Sequence, residues 1–98
     1  MGENAALIRL LLVTPDGKRT ETECDEVRLS APDGVQGRGG GSFGVRRGHI
    51  AALAALEKGE VCALTGGKPV LRAEIPGGFA RIDGESVTVM TGSFDILA

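Results

Sequence analysis

Tryptophan and tyrosine are missing from this 98-residue chain, and phenylalanine occurs only three times. Its core must therefore be assembled from Val, Ile, Leu and Ala, which suits thin packed sheets better than a roomy ligand cavity. Histidine occurs once, at His49, and cysteine twice, at Cys24 and Cys62, without CxxC spacing. That inventory completes no recognisable metal site, and the two cysteines read as buried free thiols. A catalytic dyad of His49 with either cysteine needs a thiol in a nucleophile-type turn, and neither sits in one. The acidic pairs Asp25–Glu26 and Glu21/Glu23 read as a solvated strand face. No nucleophile or acid–base constellation is left, so the chain reads as a non-enzyme without cofactor or metal.

Charge of one sign is also lacking. Eleven Lys and Arg stand against 13 Asp and Glu, a formal net charge of −2, which leaves no broad electrostatic footprint for nucleic acid or an anionic membrane. Leu10–Val13 is far too short for a signal core or a spanning helix, and Met1–Ala6 carries no basic region. The expectation is a cytoplasmic protein.

Glycine, by contrast, is plentiful: 16 residues, with four prolines, in one domain spanning 1–98. Frequent reversals of this kind predict an all-β fold, a sandwich of two antiparallel sheets with about ten short strands. Leu7–Thr14 is β-length and apolar on both faces, with Ile8, Leu10 and Leu12 on one side and Leu7, Leu11 and Val13 on the other. Such a strand is usually covered twice. Thr14-Pro15-Asp16-Gly17 supplies a turn. Thr20, Thr22 and Cys24 then share a parity, whereas the apolar set continues at Val27 and Leu29. A β-bulge near Asp25-Glu26 would reconcile the two. Glu60–Thr65, a four-residue loop Gly66–Pro69 and Val70–Ile75 lay out a hairpin, broken by Pro76-Gly77-Gly78. A second hairpin turns on Asp83-Gly84-Glu85, and the tail is expected to add an edge strand through Phe94 and Ile96.

The one low-complexity segment is Ala31–Ser42, in which five of twelve residues are Gly. A GxGxxG match starts at Gly39, but no helix pattern opens after Gly44 and no βαβ unit surrounds it. Gly66-Gly67-Lys68 lacks the upstream glycine of a Walker loop. A flexible surface loop is the better reading of the segment than a nucleotide site.

Three stretches carry a resemblance. Phe43-Gly44-Val45, Gly48-His49, Leu56 and Gly59 resemble the "FGV-x-x-GH…L-x-x-G" run of the epsilon subunit of F-type ATP synthases, in its N-terminal β-sandwich domain. Gly77-Gly78-Phe79-Ala80-Arg81-Ile82 with Val87-Thr88-Val89 resembles the family's "GGF-x-x-V…VTV" segment, and Leu11-Leu12-Val13-Thr14-Pro15-Asp16-Gly17 its opening "VVTP-x-G". The three occur in the family's order and cover nearly the whole chain. For Ala51–Leu56, propensity favours a helix of about two turns, too short to stand alone, and the resemblance implies an extended segment. Extended is the expectation.

The resemblance implies a non-catalytic rotor subunit of the central stalk, docking the γ subunit to the ring of c subunits and coupling proton or sodium translocation to ATP synthesis. It would sit peripherally at the inner face of the energy-transducing membrane and touch that membrane only through the complex. The implied interface comprises Ser42, Phe43, Val45, Arg46, Arg47, His49 and one apolar face of the first strand, with Leu11 as its candidate. His49 reads either as a turn residue whose ring fixes the loop or as a rotor contact. Arg46 and Arg47 stand where the family has an apolar residue and Pro, and Ser42 replaces its acidic residue. Here they read as a solvated turn or as partners for acidic groups of another subunit. The sequence ends at Ala98, before the family's C-terminal pair of helices, as either a cut sequence or a natural short form, and without that pair it is expected neither to bind ATP nor to latch hydrolysis. A different class of function, a free-standing β-sandwich module for a small ligand or peptide, fits the same composition.

Overall fold

In the computed structural model, residues 7–31, 41–48 and 51–97 are described. They form eight strands: β1 (Ile8–Val13), β2 (Arg19–Cys24), β3 (Glu26–Ala31), β4 (Gly41–Val45), β5 (Ala52–Thr65), β6 (Lys68–Ile82), β7 (Ser86–Thr91) and β8 (Asp95–Ile96). Their hydrogen bonding is continuous in the order β2-β1-β7-β6-β5-β3-β4, with β8 added to β6.

The long β5–β6 hairpin turns this one sheet into two layers. Ala52–Glu57 pairs with Gly77–Ile82, which continues into β7, β1 and β2. Beyond the bend, Gly59–Thr65 pairs with Lys68–Ile75, flanked by β3 and β4 on one side and β8 on the other. Ile8, Leu10, Leu12, Val87 and Val89 from the first half join Val27, Leu29, Val45, Val61 and Ile75 from the second in one buried cluster. The halves therefore face each other, as in a β-sandwich. Among the described residues the strands number eight where about ten short ones are expected, because β5 and β6 each serve both layers. One pairing, β1 with β7, is parallel, whereas antiparallel sheets are expected throughout. The core is aliphatic as composition requires, and Phe94 is its one fully buried aromatic among the described residues.

Several local expectations change in physical detail. The β5–β6 turn has two residues, not four. Gly66 and Gly67 both take positive φ (62° and 81°), and Thr65 already pairs with Lys68. Two left-handed residues make the tight turn whose twist matches the flanking strands. Pro76-Gly77-Gly78 does not end the strand; it bends it. Gly77 and Gly78 sit at φ 134° and 150°, conformations open essentially to glycine.

Asp25 is not a bulge inside one strand. It is the corner where the chain leaves β2 in one layer and enters β3 in the other. There Asp25 donates its N–H to the Leu64 carbonyl at 2.9 Å and accepts the Gly66 N–H at 2.9 Å on its carboxylate. The parity change between Cys24 and Val27 is real: both are buried, on opposite sides of that corner. Ala52–Leu56 is extended, as expected.

Candidate partner interface

The expected contacts fall on two surfaces, the corner after β4 and the outward face of the first layer. At the corner, β4 delivers Val45 into the core with no exposed surface. Val45 therefore cannot present its side chain to a partner, which corrects its place among the expected contacts. It is apolar because it anchors the corner from behind. Phe43, two residues earlier, is half-buried and packs against the same core. The backbone of Ser42 lies in β4 opposite Ser30, while the Ser42 side chain and all of His49 lie outside the described residues.

Arg46 and Arg47 are exposed. Arg46 donates from Nη2 to Glu26 Oε1 at 3.0 Å, and Arg28 Nε lies 3.3 Å from Glu26 Oε2. The Glu26 side chain is only 13% exposed, so one carboxylate anchors two exposed guanidinium groups. It lies directly over Gly44, whose missing side chain leaves it room. Arg47 reaches the Leu7 carbonyl at 3.5 Å. Gly48 donates its N–H to the Gly84 carbonyl at 2.8 Å, and Arg9 donates to the Glu85 carbonyl at 3.1 Å. Corner, β6–β7 loop and start of β1 are thus tied into one end of the sandwich. Within that loop, Asp83 Oδ1 accepts the N–H groups of Glu85 and Ser86, each at 2.8 Å, and these bonds hold its carboxyl below the usual range.

The second surface is built by strand parity. Ile8, Leu10 and Leu12 are buried, and Leu11 and Val13 point the other way, partly covered. Leu11 pairs with Glu21 and Thr88, and Val13 with Met90; Met90 in turn pairs with Phe79. Because paired residues share a face, Leu11, Val13, Met90 and Phe79 line one outward surface. Phe79 is 54% and Met90 39% exposed. Val13, Pro15, Phe79 and Met90 enclose an open cleft of about 440 Å³. Sequence reading singled out Leu11 and missed its neighbours. The signal lay in parity: Phe79 alternates with Ala80, and Met90 sits between Val89 and Thr91, all three of them buried.

The thiols lie apart from both surfaces. Cys24 is buried with Sγ 3.6 Å from the Ile8 carbonyl, and burial pushes it up to about 11. Cys62 is half-buried rather than fully buried as expected, and burial raises it too. Among the described residues no group of three His, Cys, Asp or Glu could hold a metal ion, and no helix is long and apolar enough to cross a membrane.

Comparison with known proteins decides the lineage. The family model described as "ATP synthase, Delta/Epsilon chain, beta-sandwich domain" matches residues 7–95. The chain belongs to this family. No curated protein matches it. Among solved structures, a chain of the Euglena gracilis mitochondrial ATP synthase matches with a TM-score of 0.71 at 23% identity. That structure, determined by cryo-electron microscopy, contains OSCP, F1 and the c-ring in rotational state 1. The match covers 93% of this chain and 54% of that one, so this chain spans about half its length. The delta/epsilon sandwich thus accounts for the layered fold.

Proposed function

We propose that this chain is a non-catalytic subunit of the central stalk of a rotary F-type ATP synthase. It would join γ to the ring of c subunits, so that proton or sodium translocation drives ATP synthesis. Membership of the delta/epsilon family over residues 7–95 supports the assembly. The observation that carries the contact is the outward apolar surface of the first layer. Phe79 and Met90 are too exposed for residues of a sheet face that meets only water, and they flank the cleft with Val13 and Pro15. An apolar side chain of γ seated there would remove this surface from water, with Leu11 at its margin.

Arg46 and Arg47, at the end of the sandwich, would meet acidic groups of the partner and set the orientation of docking more than its strength. His49 and Ser42 belong to the same proposed contact by their place beside that corner. The complex would hold the subunit at the inner face of the membrane.

The test is capture of γ from detergent-solubilised native membranes with the tagged chain. Co-elution of γ with c subunits is expected, and its loss in a folded Met90→Asp variant. Equal capture by that variant overturns the contact surface, and absence of γ from the wild-type eluate overturns the rotor reading.

A further inference from the structure

The first half of β5 is a sheet edge that nothing among the described residues covers. β3 pairs with β5 only through Cys62–Leu64, so Ala52–Glu57 has a neighbour, β6, on one side alone. A free edge is a row of unpaired N–H and C=O groups, and proteins usually blunt it with charge, proline, a bulge or brevity. The edges of β2, β4 and β8 are blunted, and β6 opens with Lys68 and Pro69 where β8 leaves it unpaired. Strand β2 carries Arg19, Glu21 and Glu23; β4 has the Glu26 carboxylate and Arg46 beside it; β8 is two residues long. Ala52–Leu56 reads Ala-Leu-Ala-Ala-Leu without charge, proline or bulge, the register shift of β5 coming later, at Ala63/Leu64. Leu53 is 68% exposed.

We propose that this edge pairs with the same edge of a second copy of the chain, antiparallel and two-fold symmetric about Ala54. The occupant is argued from the side chains. Centred on Ala54, the pairing sets Leu53 opposite Ala55 of the second copy, and Leu56 opposite Ala52 of the second copy. Each leucine thereby meets an alanine, large against small, and no charge is buried in the five residues. A two-fold interface must be self-complementary, and this stretch is. Both copies keep their outward faces on the same side, so the two first layers run on as one sheet and the exposed Leu53 is covered. Five residues a side bury far less than the roughly 1,200 Å² of a stable interface, so the dimer is weak and forms at high concentration. The inference does not depend on rotor assembly.

Sedimentation velocity of the full chain over a wide concentration range tests it. A reversible monomer–dimer shift is expected, abolished by Leu53→Lys, whose side chain lies outside the core, with unchanged circular dichroism. Ala55→Glu should abolish it likewise. Mixing the two variants should restore dimers, because the introduced lysine then faces the introduced glutamate across the two-fold. A wild-type chain that stays monomeric throughout overturns the proposal, as does a dimer indifferent to Leu53→Lys. Failure of the mixture to recover dimers overturns the antiparallel pairing centred on Ala54.

Discussion

The α-carbon of Gly78 lies so near the carbonyl oxygen of Met90 on the adjacent strand that a β-carbon there would overlap it. The obstacle is backbone, which cannot swing aside, and the φ of 150° at Gly78 adds strain of about 1–3 kcal/mol for any other residue. Gly78→Ala should lower stability by at least that much, and the melting temperature by about 4–8 °C for each kcal/mol. Gly44→Ala should cost less, because its β-carbon meets the end of the Glu26 side chain. Thermal melts of the two variants side by side check the contrast; equal losses would mean that the bend tolerates a side chain.

Neighbouring leucines of β1 should behave in opposite ways. Leu10 has no exposed surface, and Leu11 lies outside the buried cluster. Leu10→Asp places an unpaired carboxylate in the core, beyond the roughly 2–5 kcal/mol lost when such a site is merely emptied. That approaches the whole stability of a small domain, about 5–15 kcal/mol, so the variant should be unfolded at 25 °C. Leu11→Asp should keep a cooperative melt and lose affinity for γ. An unfolded Leu11→Asp would place Leu11 in the domain's own packing.

The Asp83 loop sets a pH dependence. The Glu85 N–H, then the Ser86 hydroxyl and N–H, hold the folded pKa of Asp83 below its unfolded value. The contribution is therefore complete above the unfolded value, about 3.9, and is lost as pH falls through the lower folded value. Asp83→Ala should melt earlier than wild type at neutral pH, with the gap closing only below about pH 4. A constant gap down to pH 2 would mean that the carboxylate charge is not what holds the loop.

Thiol labelling should separate the two cysteines. Cys24 is buried and pushed up to about 11, so little thiolate forms at neutral pH and no reagent reaches it. Cys62 is half-buried and should be modified first in the native protein. Mass spectrometry after brief exposure to iodoacetamide should find the adduct on Cys62, with Cys24 modified only in denaturant.

Much of this was legible in the chain, because the informative signals were local. Gly and Pro punctuation marks nearly every reversal, and the alternation along Leu7–Val13 divides buried from outward residues correctly. The β5–β6 turn and the Pro76 bend were misjudged for one reason. A glycine pair ends a strand or bends it depending on what the other layer needs, which is a tertiary matter. The parity change at Asp25 was visible, but a bulge and a change of layer leave the same trace in sequence. Val45 resembled a contact residue because family motifs mix anchors with contacts, and only burial separates them. Phe79 and Met90 drew no attention because a hydrophobe in a strand is ordinarily core, and their outward parity emerges only beside that of their neighbours.

The parallel pairing of β1 with β7 joins the first strand of the fold to nearly the last. On the ribosome, β1 emerges before the rest of the sandwich and can pair at once with β2, whose exposed residues are Arg19, Glu21 and Glu23. The strand that completes it, Ser86–Thr91, follows only after β2 to β6 have been made. At about 5–20 residues per second, Ile8, Leu10 and Leu12 wait on the order of several seconds without their final cover. The nascent chain thus carries a sticky hairpin until β7 is made, and holdase chaperones should be found on it at that stage.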